Sequence, residues 1–268
     1  MILDETYNLL KTKYTNKINS LEISDVRIGV FLTAVLLSDG SCGAASTSID
    51  AQSHCYKKDR DFGDFSPAKI KGKKVIDLFE KNSSIKIINT LKVAVLNAIS
   101  SKIISDQNYK ILYDTDPIDL LDLTPLKTIT IVGAFQSYIK KIAATKNKLY
   151  VLELDENALN HDQKHFYIPA YEYPKILPVS DIVIITGLTL VNNTLDNLLA
   201  CTSSQTQVVL TGPSSSLIPD ILFRKNVKII GSTKITDPGL LFTVVSEAGT
   251  GFHLFKYCAE KFCIVNEL

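Results

Sequence analysis

Two runs decide the fold: Asp181-Ile-Val-Ile-Ile-Thr186-Gly187-Leu-Thr189-Leu-Val-Asn192-Asn193-Thr194-Leu and Val208-Val-Leu-Thr211-Gly212-Pro213-Ser214-Ser215-Ser216. Each is an apolar strand that stops at a glycine and opens onto hydroxyl and amide side chains before an amphipathic helix. In a parallel α/β sheet such junctions bind ligands, because free backbone N–H groups and positive helix ends point outward there. Working outward, strands are expected at 129–132, 149–154, 182–186, 208–211 and 227–230, with helices at 135–144, 190–201, 217–223 and 238–245. Nearly continuous Ile/Val/Leu runs suit a parallel sheet covered on both faces. Residues 125–268 therefore read as a Rossmann-like, doubly wound α/β domain with helices on both faces.

The front segment, residues 1–124, has a different rhythm. Leu3, Tyr7, Leu10 and Tyr14 have helical spacing, and a long strand is expected from Val26 to Ser38. Asp39-Gly40 then signals a hairpin, since a type I′ turn needs positive φ at both central residues. The partner strand should run from Cys42 to about Ile49, followed by a charge-dense stretch to Lys74 containing the run 57–61. Helices are expected at 75–81 and 85–104, the second with Ile88, Leu91, Val95 and Ile99 on one face. Asp116-Pro117 reads as N-cap and first residue of a short helix, and Thr124-Pro125 marks the boundary of this α+β unit.

Composition narrows the function classes. The chain has 268 residues, 46% hydrophobic and 21% charged, with net charge +1. That is ample for a packed core and gives no electrostatic reason to expect nucleic acid or an anionic membrane as partner. No apolar stretch is expected to reach the roughly 18–20 residues of a transmembrane helix, and the N-terminus lacks a signal-peptide pattern. A cytoplasmic protein with a small-molecule ligand is the expectation, homo-oligomerisation being left open. Five cysteines without a CxxC pair argue against a disulfide framework, and most are expected to be buried apolar residues.

Among the motifs, Ile131-Val-Gly133-Ala-Phe135 holds one glycine where a dinucleotide fingerprint needs three. Glu153 stands about 20 residues on, where dinucleotide binders hold a ribose hydroxyl. Thr186, Gly187, Thr189 and Asn192 at one strand end, and Gly212, Pro213, Ser214 and Ser215 at the next, offer donors for a polar or anionic group. Helix capping explains either junction alone; adjacent strand ends are expected to open into one crevice. His161 and His165 at i, i+4 fall in an expected loop, His54-Cys55 and the Cys258/Cys263 pair lack closed-site spacing, and His253 follows a glycine pair that could line a cleft. No catalytic residue is assigned by spacing.

The same residues carry a family resemblance. Gly133-Ala-Phe135, Leu177-Pro178-x-x-Asp181, Thr186-Gly-x-Thr189-x-x-Asn192-x-Thr194-Leu and Gly212-Pro213-Ser214 resemble, in order and spacing, a two-domain prokaryotic family of unknown function named for heavy-metal chelation. The front segment is similar to its enolase N-terminal-like partner domain through Gly29-x-x-x-Thr33-Ala34, Asp39-Gly40-x-x-Gly43 and Asn97-Ala98. The resemblance implies an active site in the cleft between the domains and a role in heavy-metal chelation or metal-cofactor metabolism; the strand-end residues point to a polar anionic ligand there, metal-bearing or not. Thr33 and Asn97 would meet it from the front, and Gly133, Phe135, Glu153, His253 and the two strand-end motifs from the back. The cofactor is left unknown, a heavy metal being implied by the resemblance alone. Two alternatives stand: an enzyme, transferase or oxidoreductase, with a nucleotide-type cofactor at the strand ends, and a metal carrier without turnover.

Overall fold

The computed structural model describes residues 1–13, 15–48, 63–80, 85–107, 109–124 and 126–266. Ile49, the run 57–61 and His54-Cys55 lie outside the described residues. The front unit begins with α1 (Ile2–Lys13), which buries Ile2, Leu3 and Leu10 and carries acids in its first turn and lysines in its last, matching the helix dipole. After the short α2 (Thr15–Ile18) come β1 (Ile23–Ile28), β2 (Leu32–Leu37) and β3 (Cys42–Ser46), an antiparallel meander in that order. The single strand expected from 26 to 38 is thus two. The chain folds back at Gly29, where an added Cβ would lie 2.3 Å from the Val245 carbonyl oxygen, so this tight approach bends the run. The Asp39-Gly40 turn joins β2 to β3 as expected, but not as a type I′ turn: Gly40 alone of the pair has positive φ, 81°, and Asp39 Oδ1 accepts from the Ser41 backbone N–H at 3.0 Å.

Two helices, α3 (Val75–Glu80) and α4 (Lys86–Asp106), complete the unit. Contrary to the sequence expectation, α4 is long and apolar enough by length and composition to cross a membrane. Its apolar surface is instead packed into the core, with Leu91, Val93, Ala94, Val95, Leu96 and Ala98 fully buried. A helix apolar on all sides is what burial between two layers requires. It lies so close to β3 that a Cβ on Gly43 would sit 2.3 Å from Ala94 O and 2.4 Å from Ala98 N.

The second unit contains β4 (Lys110–Tyr113), β5 (Thr128–Val132), α5 (Gln136–Ala143), β6 (Lys148–Glu153), β7 (Tyr167–Pro169), α6 (Tyr173–Ile176), β8 (Ile182–Thr186), α7 (Leu188–Val191), α8 (Leu195–Ala200), β9 (Gln207–Thr211), α9 (Pro219–Arg224), β10 (Val227–Ile235), α10 (Pro238–Ser246), α11 (Gly251–Tyr257) and β11 (Ala259–Val265). The eight strands are ordered β4-β11-β10-β9-β8-β5-β6-β7. Strands β5 to β10 pair in parallel, while β11 runs antiparallel to β10 and β4 antiparallel to β11. Strand order reverses between β5 and β8, the switch point where an open parallel sheet leaves a crevice. The expected α/β class is the one observed. Strand β4, which precedes Thr124, nevertheless belongs to the large sheet.

One face of that sheet, with Val183, Ile185, Leu210 and Ile230, shares a continuous core with α1 and α4 of the front unit. The other face, with Ile131, Ile184, Val209 and Ile229, packs on Ile139 and Tyr138 of α5. In return α10 and α11 cover the front sheet, Leu241, Val245 and Leu254 meeting Leu32, Ala34 and Ala44. The helix expected at 190–201 is two pieces. Asn193 takes φ 56°, a left-handed conformation Asn tolerates, and Thr194 N bonds back to Thr189 O at 2.9 Å.

Candidate ligand-binding site

At the switch point, β5, β6 and β8 end side by side, and their last residues frame a cavity of about 290 Å³. Gly133 turns the chain away with φ 106°, and a Cβ there would meet Thr186 Cγ2 at 3.1 Å, so the glycine lies against Thr186. The Glu153 carboxylate accepts from Leu154 N at 2.6 Å. Thr189 donates to Thr186 O at 2.7 Å and Thr186 Oγ1 accepts from Leu188 N at 3.3 Å, so Thr186 rather than Thr189 closes the start of α7. Asn192 reaches the front unit, its Oδ1 accepting from Ser48 Oγ at 2.7 Å. Gly133, Glu153, Thr186, Thr189, Asn192 and Asn197 line the cavity, and exposed Leu154 and Tyr171 stand at its rim. Among the described residues the lining holds one carboxylate and no lysine or arginine.

Phe135, Gly212 and Pro213 face elsewhere, into a second cavity of about 510 Å³ that also meets Asp116, Tyr138 and Lys261. Lys261 Nζ bonds Asp116 Oδ2 at 2.8 Å, and the Tyr138 hydroxyl donates to Asp116 Oδ1. Burial works to raise the Asp116 carboxyl, but the hydrogen bonds from Lys261 and Tyr138 outweigh it and hold the group below the ordinary carboxylate value. Burial, reinforced by Asp116, pushes the Tyr138 hydroxyl well above its usual value, so it stays protonated as a donor. Sequence reasoning anticipated Asp116 only as a cap, which it also is, accepting from Ile118 N at 3.4 Å.

The single crevice expected from adjacent strand ends is therefore two cavities. A Cβ on Gly187 would fall 2.9 Å from Ser215 N: the loop after β9 lies directly on the loop after β8 and fills the space between. Ser214 to Ser216 turn inward. Ser214 Oγ accepts from Ser46 N of β3 at 2.8 Å, while Ser215 Oγ sits between the carbonyls of Gly212, at 2.6 Å, and Gly231. Asn97 Nδ2 donates to Ala44 O at 2.8 Å and Pro213 O at 3.3 Å, and Thr33 Oγ1 bonds Thr47 Oγ1 at 2.9 Å. His253 Nδ1 accepts from Thr250 N at 3.1 Å and caps α11. Thr33, Asn97, Ser214, Ser215, Ser216 and His253 line neither cavity and hold the framework around them.

A protein-held metal needs several convergent donors. Among the described residues no three His, Cys, Asp or Glu side chains form such a group. Burial pushes the thiols of Cys42 and Cys263 up to about 12 and raises that of Cys258. His165 packs on the ring of Phe166 at 3.8 Å between centroids. The described donors do not fit a resident heavy metal.

Fold and cavity together describe an α/β protein with a crevice at the switch point of its larger sheet. The chain belongs to the DUF364 family, described as "Putative heavy-metal chelation", which it matches over residues 116–264. Residues 12–100 match the DUF4213 family, which carries the same description. A DUF364 protein of unknown function from Pyrococcus horikoshii is similar across 99% of this chain and 100% of its own, with TM-score 0.79 and 24% identity. A DUF364 protein of unknown function from Desulfitobacterium hafniense gives TM-score 0.72 at 16% identity, over 97% and 99% of the two chains. An uncharacterised protein of Methanocaldococcus jannaschii is 28% identical over 178 residues, 65% of this chain and 64% of that protein's length.

Proposed function

We propose that the protein binds a polar small molecule in the switch-point crevice, beside the seam between its two units. The observation that carries this is the convergence of Gly133, Glu153, Thr186, Thr189 and Asn192 on one cavity where strand order reverses. Glu153 orients the ligand through hydroxyl or amine donors, and the threonine and asparagine side chains supply neutral hydrogen bonds. Because the crevice offers a carboxylate and no side-chain cation, the ligand presents hydroxyl or amine groups to Glu153 and carries any carboxylates on the side turned away from it. The family's heavy-metal description enters as a class of ligand to test. With no described donor set for the ion, an organic chelator brings its own metal donors.

A second reading, a nucleotide-type cofactor, is favoured by one specific feature: Glu153 ends β6, the strand beside β5, within reach of a sugar lying over Gly133. Thermal-shift and calorimetric titrations with adenosine, nickel ion and nickel citrate separate the two. Ligand at about 100 times its Kd stabilises by about 2.7 kcal/mol. Stabilisation by adenosine that Glu153→Gln removes supports the nucleoside reading, and stabilisation by nickel citrate but not adenosine supports the chelate. Binding that neither Glu153→Gln nor Asn197→Ala weakens would sink the site assignment.

A further inference from the structure

The switch-point crevice carries charge of one sign only. Glu153 is the single charged side chain of its lining. Its carboxylate is half-buried; Oε1 accepts from Leu154 N at 2.6 Å, and the other oxygen has no partner among the described residues. Asp155, the next acid along the chain, caps the turn after β6 by accepting from Asn157 N at 2.9 Å. It too has no ion-pair partner among the described residues. The lysines of the flanking segments are already committed, Lys164 to Glu156 at 3.8 Å and Lys175 to Glu172 at 2.6 Å. Tyr167, on the neighbouring strand β7, feels the resulting field. Desolvation first, and then Glu156, Tyr171, Asp155 and Glu153, hold its hydroxyl above the usual value.

Most of the remaining wall is apolar, with Val132, Leu152, Leu188 and Leu198 in the lining. Leu154 and Tyr171 also line the cavity, yet they are 81% and 75% exposed. A body seated there covers apolar surface that the chain itself leaves in water. Tyr171 and Tyr173 are the two aromatic rings of the lining, and a ring stabilises a cation held within about 6 Å of its face. We infer that the occupant is a small organic amine, protonated at neutral pH, with a flat apolar body. The ammonium meets Glu153, and the body lies against Tyr171, Leu154 and the aliphatic wall. An anionic head, which the strand-end pattern suggested, would meet like charge at this point. The inference rests on the reading of this crevice as the ligand site, and adds the charge and shape of what enters it.

The chain contains no tryptophan, so indole fluorescence reports a bound probe free of protein signal. Tryptamine, tryptophol and indole-3-propionate share one flat body and differ in the head: ammonium, hydroxyl and carboxylate. In anisotropy titrations of the full chain, tryptamine is expected to bind at least about tenfold more tightly than tryptophol, and indole-3-propionate most weakly. Glu153→Gln removes the charge and keeps a carbonyl oxygen for Leu154 N. It should bring tryptamine down to the level of tryptophol while leaving tryptophol and Tm unchanged; a purely structural Glu153 would move Tm and all three probes. Tyr171→Ala, at an exposed position, should weaken tryptamine and tryptophol several-fold without changing Tm. Tryptophol or the carboxylate binding as tightly as tryptamine, tryptamine binding that ignores either substitution, or binding of none of the three overturns the inference. The crevice itself is judged by the adenosine and nickel citrate titrations. Binding there that Asn197→Ala weakens keeps the site even where the amine fails.

Discussion

Asn97 distinguishes a ligand-orienting residue from a structural one. Its side chain is 2% exposed and joins three segments: α4 itself, β3 through Ala44 O at 2.8 Å, and the loop after β9 through Pro213 O at 3.3 Å. Asn97→Ala removes two donors, each worth about 0.5–1.5 kcal/mol net, and leaves the Ala44 carbonyl buried without its side-chain donor. A small cavity adds to the cost. Against this, Asn97 Oδ1 is itself buried without a partner, and deleting it offsets about 1 kcal/mol. The balance is a loss of about 2 kcal/mol, or roughly 4–8 °C in Tm for a chain of this size. Urea and thermal unfolding followed by circular dichroism read it directly. Ser214→Ala, which deprives Ser46 N of its acceptor across the same seam, should couple to Asn97→Ala by more than about 0.5 kcal/mol in a double-mutant cycle. A residue kept for ligand would behave in the opposite sense: truncation would leave stability unchanged or raised. An unchanged or higher Tm for Asn97→Ala would therefore refute the structural reading.

Three further outcomes are expected. Gly43→Ala should destabilise by about 2 kcal/mol or more, because its methyl would meet backbone atoms of α4 rather than yielding side chains; a urea midpoint within error of the parent's would contradict it. Asp116, held below the ordinary carboxylate value, contributes stability that is complete above about pH 4 and is lost as pH falls through its lower folded value. Lys261→Met should therefore lower stability at pH 7 and shrink the further loss between about pH 4 and pH 2, measured by urea midpoints across that range. Among the described cysteines, alkylation at pH 8 should label partly exposed Cys201 and spare Cys42, Cys258 and Cys263, whose thiols burial keeps protonated. Peptide mapping that finds Cys263 labelled as fast as Cys201 would overturn that.

The central strands were readable because burial on both faces leaves uninterrupted Ile/Val/Leu runs, as in 182–186 and 208–211. The edge elements were not. Tyr167–Pro169 is three residues long and contains a proline, and Lys110–Tyr113 is only partly buried, so neither carries a period. Strand β10 outran its expected end at Ile230 because Gly231 punctuates it. That glycine is required by Thr211 Oγ1, which would lie 2.4 Å from an added Cβ. The strand-end hydroxyls were visible as a pattern, but their direction was not. Ser214 and Thr186 look alike in sequence, and one bonds to the front unit while the other lines a cavity. Lys261 and Asp116 stand 145 residues apart and meet only through strand pairing.

Strand β4 has a consequence for how the chain can be divided. It pairs with β11 from Lys110 opposite Val265 to Tyr113 opposite Phe262, and closes that side of the large sheet. A fragment cut at the start of the second family match, residue 116, would leave the backbone groups of β11 unpaired along that edge. It would also uncover the face that α4 shields. An open strand edge beside bare apolar surface recruits other chains. The two segments are therefore better regarded as one cooperative folding unit than as modules on a tether, and neither is expected to stay monomeric and soluble when produced alone.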